Sequence, residues 1–201
     1  IIRGKDSTII KVVSLSLGVS LSIILFARVA MELSFDTFYQ DHEQLYVVQT
    51  AWENKDGKGK PSPYNIYPAG KTLMKHFPEQ VESSTVISNF IGETLKHGGK
   101  NYPSKIIAAE SLFFQTMGIP LIKGNAFDLN IPDAIFLSNS QARQIFGDQD
   151  PMGKVVIWGG YYEKVVKGIF ADVPENVTIE TKAVISMNSI DMRKGWNSGG
   201  N

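Results

Sequence analysis

A run of uncharged residues near the amino terminus constrains this chain more than any other feature. Every residue between Lys11 and Arg28 is uncharged, in the order VVSLSLGVSLSIILFA, and this run covers about 24 Å as an α-helix. Adding the apolar residues on either side, with Lys11 and Arg28 extending toward the lipid headgroups, brings the helix to the length that a bilayer requires. The sequence therefore predicts a transmembrane helix over residues 11–33.

Two other interpretations of the run stay open, a buried core helix and a cleaved signal peptide. A signal peptidase needs small residues at the third and first positions before the cut. Cleavage after Ala30 places Arg28 at the third position, and cleavage after Ala27 places Leu25 there. Neither position suits cleavage, so the membrane helix is the favoured interpretation.

Charged residues on the two sides of the run predict its orientation. The residues before it are basic (Arg3, Lys5, Lys11), and those after it are mostly acidic (Glu32, Asp36, Asp41, Glu43). Because basic residues are retained on the cytoplasmic side, residues 1–10 are predicted to be cytoplasmic and residues 34–201 to be exported.

The sequence of the exported part predicts an α+β fold of mixed sheets with short helices. We expect these elements to form two lobes. From Leu45 onward, short β-branched and aromatic segments alternate with Gly and Pro, which is typical of strands joined by turns. We expect about eight strands and four short helices. The strands include LYVVQTAW, VESSTVISN and TKAVISM, and one helix follows Pro68.

Turn and capping residues locate several of these elements. Paired glycines predict hairpin turns at Gly98–Gly99 and at Gly159–Gly160. The segment SLFFQTM is predicted to be a helix capped by Ser111. The segment DAIFLSNSQARQIFG is predicted to be a strand followed by a helix, with Ser138 or Asn139 as its cap and Gly147 as its end.

Composition and motifs argue against nucleic-acid binding, metal binding and catalysis. Lysine and arginine balance aspartate and glutamate at 20 each, so nothing indicates a nucleic-acid partner. There are no cysteines, and the three histidines are too far apart in sequence to form a zinc motif. No catalytic motif is present, so we expect no enzyme activity, no cofactor and no metal. Asn176–Thr178 has the form of a glycosylation sequon, which chance alone explains.

Four residues near the end of the predicted span are candidates for a stalk between the helix and the exported domain. Arg28, Glu32 and Asp36 are four residues apart, which places them on one face if the helix continues. Phe38 follows them, and residues 28–44 contain neither Gly nor Pro. The sequence predicts that the helix extends beyond the membrane surface and joins the domain without a flexible linker.

Four aromatic residues are candidates for a contact with a partner protein: Phe90, Trp158, Tyr161 and Tyr162. Aromatic side chains beside a hairpin turn can form an apolar contact surface. They can also pack on their own sheet, which is the more common arrangement. Both interpretations stay open.

Four segments together resemble a known family, the MacB-like periplasmic core domain of FtsX-type ABC transporter permeases, particularly the versions found in Bacteroidetes. The segments are ELSFDTFYQDHEQLYVVQT, AAESLFFQTMGIPLIKGNAF, AIFLSNSQARQIFGDQDPMGKVV and VVKGIFADVPENV. Each is degenerate by itself, but their order and spacing cover nearly the whole chain.

The resemblance implies a permease subunit of the bacterial inner membrane whose periplasmic domain precedes further transmembrane helices not contained in this chain. It also implies a separate cytoplasmic ATPase, a second permease copy and, in some relatives, a periplasmic adaptor or outer-membrane protein. Motion driven by ATP would be passed to the periplasmic domain to export or release a substrate. The alternative functions are a membrane-anchored sensor or ligand-binding module without transport, and an exported hydrolase.

Overall fold

The computed structural model describes residues 3–51, 53–54, 57–63, 69–89 and 92–190. Helix α1 spans Arg3–Leu33, a length of about 46 Å. Within it, Thr8–Leu33 is long and apolar enough to cross a membrane, and its residues are exposed rather than packed inside the protein. The helix thus begins eight residues before the predicted span of residues 11–33 and ends at Leu33, without the predicted continuation toward Asp36. The short cytoplasmic segment and the membrane span stay predictions.

The part of the chain that the structure describes after α1 contains eleven strands and three α-helices. The strands are β1 (Glu53–Asn54), β2 (Gly57–Lys58), β3 (Ile87–Ser88), β4 (Thr94–His97), β5 (Lys100–Pro103), β6 (Ile106–Ala109), β7 (Leu121–Gly124), β8 (Ala134–Ser138), β9 (Val155–Trp158), β10 (Tyr162–Phe170) and β11 (Ala183–Ser186). The helices are α2 (Ala69–His76), α3 (Phe113–Thr116) and α4 (Asn139–Phe146). Three short 3-10 helices span His42–Gln44, Ala126–Asn130 and Met187–Ser189.

Nine strands form one mixed sheet in the order β3-β6-β11-β8-β10-β9-β4-β5, with β7 also paired to β10. The pairs β8–β10 and β6–β11 are parallel, and the other pairs are antiparallel. The α+β class is therefore confirmed. Strands β1 and β2 form a separate hairpin, and the division into two lobes stays a prediction.

The central strands bury both of their faces, because alternate side chains point to opposite sides of a sheet. Ile135 and Leu137 of β8 belong to one hydrophobic cluster, whereas Ala134 and Phe136 belong to the other. Helix α4 covers the first face, and α3 covers the second. Gly168 of β10 is required on the second face, since an added Cβ atom would lie 2.2 Å from the Phe136 ring.

The predicted turns and one predicted cap are confirmed. Hairpins join β4 to β5 at Gly98–Gly99 and β9 to β10 at Gly159–Gly160. The Ser138 hydroxyl accepts a hydrogen bond from the backbone nitrogen of Gln141 and caps α4. Gly147 ends that helix.

Three local predictions are wrong. Residues 45–51 of the predicted strand LYVVQTAW are not assigned to a strand, although Thr50 forms an isolated bridge with Ser62. The predicted strand VESSTVISN is reduced to β3. Helix α3 has Leu112 rather than Ser111 at its N-cap, with no side-chain cap.

Candidate functional site

The connection between α1 and the sheet domain is a tight turn. The Ser34 backbone nitrogen still donates to the carbonyl of Ala30, at 3.1 Å, but α1 ends at Leu33. Asp36 has a φ of 59°, in the left-handed region that ends a helix. The helix therefore does not continue past residue 33, and Asp36 does not share a face with Arg28 and Glu32. This corrects the predicted helical stalk.

Asp36 binds the domain through three hydrogen bonds. Its backbone nitrogen donates to the carbonyl of Asn176, at 3.0 Å. Its carboxylate accepts from the backbone nitrogen of Thr178 and from the Thr178 hydroxyl, both at 2.6 Å. Hydrogen bonds to a charged acceptor are stronger than neutral ones, so Asp36 fixes the end of the helix to one short segment of the domain.

Asn176 completes this connection from the other side. Its side-chain amide donates to the Ser34 carbonyl, at 2.8 Å, and to the Ser34 hydroxyl, at 3.2 Å. Between Asn176 and Thr178, Val177 is buried in the hydrophobic cluster of the second sheet face. The segment 176–178 therefore binds the turn with its polar side chains and the core with its apolar one.

Tyr39 anchors the same turn in the core. Only 4% of its surface is exposed, and its hydroxyl donates to the carbonyl of Ile179, at 3.1 Å. Burial, with a smaller contribution from the Asp36 carboxylate, raises the pKa of Tyr39 from 10.0 to about 12. The hydroxyl is therefore neutral at physiological pH.

The residues on either side of Tyr39 also pack against the domain. Phe38 packs against the second-face cluster and makes an edge contact with the Tyr39 ring, at 5.7 Å between centroids. Gly118 approaches Gln40 so closely that an added Cβ atom would lie 2.4 Å from the Gln40 Cβ. We call residues 34–40, with the segment 176–179, the helix junction.

The four predicted stalk residues thus divide into two groups. Asp36 and Phe38 belong to the helix junction. Arg28 and Glu32 form a separate, exposed ion pair on α1, with 3.9 Å between charged atoms. Asn176 and Thr178 were missed, although their tripeptide was noticed, because nothing in the sequence links them to residues 142 positions away.

The predicted aromatic contact residues lie at the other end of β10. Trp158 and Tyr162 stack with 5.3 Å between ring centroids, and Tyr161 and Tyr162 are 4.3 Å apart. A hydrogen bond with Tyr162 raises the pKa of Tyr161. Phe90 lies outside the described residues. The structure therefore brings three of the four residues together, and we call these three the aromatic tip.

Among the described residues, no group of three or more His, Asp or Glu side chains could hold a metal ion. The structure thus offers two regions of interest, the helix junction and the aromatic tip. An apolar helix that is long enough to cross a membrane is joined by a hydrogen-bonded turn to an α+β domain.

Comparison with known proteins identifies the family. The chain belongs to the family of MacB-like periplasmic core domains, which matches residues 8–198. This is a family of transporter permease domains rather than of catalytic domains. No curated protein matches the chain.

Solved structures with similar folds include three domains of permeases or transporters. A domain assigned to a permease protein from Porphyromonas gingivalis is 22% identical, with a TM-score of 0.49, over 55% of this chain and 53% of that one. The periplasmic region of MacB from Actinobacillus actinomycetemcomitans is 19% identical, with a TM-score of 0.37, over 57% and 61%. The extracellular domain of the noncanonic ABC-type transporter YknZ from Gram-positive bacteria is 16% identical, with a TM-score of 0.42, over 55% and 56%. Each match spans less than two thirds of the solved chain.

Proposed function

We propose that this chain is part of an ABC transporter permease subunit in the bacterial inner membrane, and that its helix junction transmits motion from α1 to the periplasmic domain. A separate cytoplasmic ATPase would drive the motion, and a second permease copy would pair with this one. The consequence in the periplasm is export or release of a substrate.

The observation that carries this proposal is the pairing of residues 34–36 with residues 176–178. Five hydrogen bonds join the two segments, through Asp36 to Asn176 and Thr178 and through Asn176 to Ser34. A flexible linker would allow α1 to tilt without moving the domain. A turn held by several bonds and a buried Tyr39 moves the domain with the helix.

The test separates ATP hydrolysis from movement of the domain. The full-length permease is reconstituted with its ATPase in lipid nanodiscs, with three glycines inserted after Ser34. A spin label is placed at Gln144→Cys on the exposed face of α4. The 201 residues contain no cysteine of their own, so the label marks a single position in this part of the protein. The distance between labels on two copies is measured with and without ATP.

With the native junction, we expect the distance between labels to shift when ATP binds. With the glycine insertion, we expect ATP hydrolysis to continue and the shift to disappear, because the added residues absorb the movement of α1. The matched control is the same insertion between Gly98 and Gly99, at an exposed hairpin tip. A shift that survives the junction insertion contradicts the proposal, and the absence of any ATP-dependent shift with the native junction favours a membrane-anchored sensor without transport.

A further inference from the structure

Four neighbouring strands at one end of the sheet share a face that points away from the first hydrophobic cluster. Strands β5, β4, β9 and the first half of β10 are consecutive in the sheet. Leu95 and Val156 belong to the first cluster, so their neighbours along each strand point to the second face. We call these second-face side chains the open face: Thr94, Lys96, Asn101, Pro103, Val155, Ile157, Glu163 and Val165.

The core of the described residues does not include the open face. None of its side chains belongs to either hydrophobic cluster or packs against one. Val155 is 40% exposed, and Ile157 and Val165 are half-buried. An apolar centre with charged residues beside it is typical of a surface that contacts another protein.

A row of four directly paired residues crosses the open face, in the order Asn101, Lys96, Ile157 and Glu163. Lys96 and Glu163 lie on either side of Ile157, roughly 10 Å apart along the row, because neighbouring strands are separated by about 4.8 Å. Both charged side chains are exposed. Among the residues that the structure describes, neither forms an ion pair. The row therefore carries one unpaired charge of each sign, with an apolar residue between them.

We propose that the open face packs against the open face of a second copy of this chain, around a two-fold axis that runs along β9. This rotation places Ile157 opposite Ile157 of the second copy, and each Lys96 opposite Glu163 of the second copy. The two charges then pair twice between copies, although they are too far apart to pair within one. Because this pairing rests on the proposed permease function, the second copy is the one anchored in the same membrane.

The shape of the open face suits the same arrangement. A hollow of about 270 Å³ lies on the β4 side of Ile157, and its lining includes Thr94, Lys96 and Asn101. Glu163 lies on the β10 side, so the rotation brings it over the hollow of the second copy. Packed sheets are about 10 Å apart, a separation that a lysine and a glutamate side chain can span together. Each copy therefore offers both the protruding acid and the hollow that receives it.

Charge and size favour a second copy over other occupants. Nucleic acids and anionic lipid surfaces require an excess of positive charge, whereas the open face carries one lysine and one glutamate. The four strands cover roughly 200 Å², which is much less than the roughly 800 Å² that a stable complex in solution buries on each partner. Two copies anchored in one membrane meet at a high effective concentration, so a small complementary face is sufficient for them.

The test cross-links the full-length permease in proteoliposomes without nucleotide. The 201 residues contain no cysteine, so Val155→Cys and Ile157→Cys, made separately, each place one thiol beside the proposed axis. A short bismaleimide joins thiols that face each other, and gel electrophoresis measures the covalent dimer. We expect both variants to form it. The matched control is Gln144→Cys on the exposed side of α4, which covers the first face; it should give no more dimer than the wild type.

Charge reversal in the Ile157→Cys variant tests the pairing itself. Lys96→Glu and Glu163→Lys each place two pairs of like charges across the axis, so each should lower the yield of dimer by about tenfold. The double reversal restores opposite charges and should recover the yield. The matched control is Lys100→Glu, because Lys100 is exposed on the same hairpin but is paired with His97, whose ring packs on the first face. This control should leave the yield unchanged.

Four results would overturn the proposal. The first is no dimer with either Val155→Cys or Ile157→Cys, and the second is a yield that single charge reversals do not lower or that the double reversal does not restore. The third is cross-linking in whole cells to a different protein, such as a periplasmic adaptor, in place of a second copy. The fourth is a thiol that does not react with a monofunctional maleimide, because another segment of the chain would then cover the face.

Failure of this proposal is distinguishable from failure of the transmission proposal. Cross-linking requires neither ATP nor the helix junction, and the spin-label distance reports a second copy without using the open face. A measurable distance between labels together with no cross-linking would place the contact between copies elsewhere, while leaving transmission through the junction intact.

Discussion

The helix junction and the aromatic tip lie at opposite ends of β10 and use the same kinds of residue in opposite ways. At the junction, Tyr39 is buried and its hydroxyl has a backbone partner. At the tip, Tyr161 is exposed, and its ring contacts the neighbouring Tyr162. The junction tyrosine is enclosed by the core, whereas the tip tyrosine keeps its ring in solvent.

Replacing a tyrosine by alanine at the helix junction and at the aromatic tip should give the largest difference in stability. We expect Tyr39→Ala to lower the free energy of unfolding of the domain by about 3–5 kcal/mol, because it leaves a cavity in the core. We expect Tyr161→Ala to change it by less than about 0.5 kcal/mol, because an exposed side chain loses few contacts. Chemical denaturation in nanodiscs, followed by near-ultraviolet circular dichroism, measures both. Equal losses would show that the two regions do not differ in structural role.

Removal of the Asp36 carboxylate should have an intermediate effect. We expect Asp36→Ala to lower the free energy of unfolding by about 2 kcal/mol. The two hydrogen bonds from Thr178 are lost, and alanine is strained at a φ of 59°. The variant Asp36→Gly separates the two causes, since glycine adopts this conformation freely, and it should recover part of the loss. Glu32→Ala is the control on the exposed ion pair and should cost about 0.5 kcal/mol or less. If Asp36→Ala and Glu32→Ala lowered the free energy of unfolding by similar amounts, Asp36 would not be holding the helix junction together.

The smallest expected effect is a pH dependence that belongs to Tyr39. Its pKa is about 12 in the folded protein and 10.0 without the fold, so the unfolded chain loses this proton first as pH rises. The stabilisation is therefore complete below pH 10 and decreases between pH 10 and 12, by about 1 kcal/mol at pH 11.

The variant Tyr39→Phe isolates this contribution, because it keeps the ring and removes the titrating hydroxyl. Its unfolding free energy should decrease less steeply between pH 10 and 12 than that of the wild type. Parallel curves for the two proteins would show that the Tyr39 hydroxyl is not held by the junction.

Short stretches of sequence correctly predicted the elements that depend only on neighbouring residues. The charge-free run predicted the apolar part of α1, paired glycines predicted the two hairpin turns, and Ser138 predicted the start of α4. Residues 45–51 are not assigned to a strand, although Thr50 forms an isolated bridge with Ser62. The helical stalk failed because the junction provides Asp36 with better partners than a further helical turn would.

The sequence by itself determined the apolar helix, the α+β class and most turns, because each depends on residues within a few positions of one another. Only the tertiary structure decided that Asn176 and Thr178 hold the end of α1, and that the Trp158 ring packs against Tyr162 and lies near the buried Lys164. The contacts of Asn176 and Thr178 join segments that are distant in sequence. Their partners are chosen by the folding of the whole sheet, which no short stretch of residues specifies.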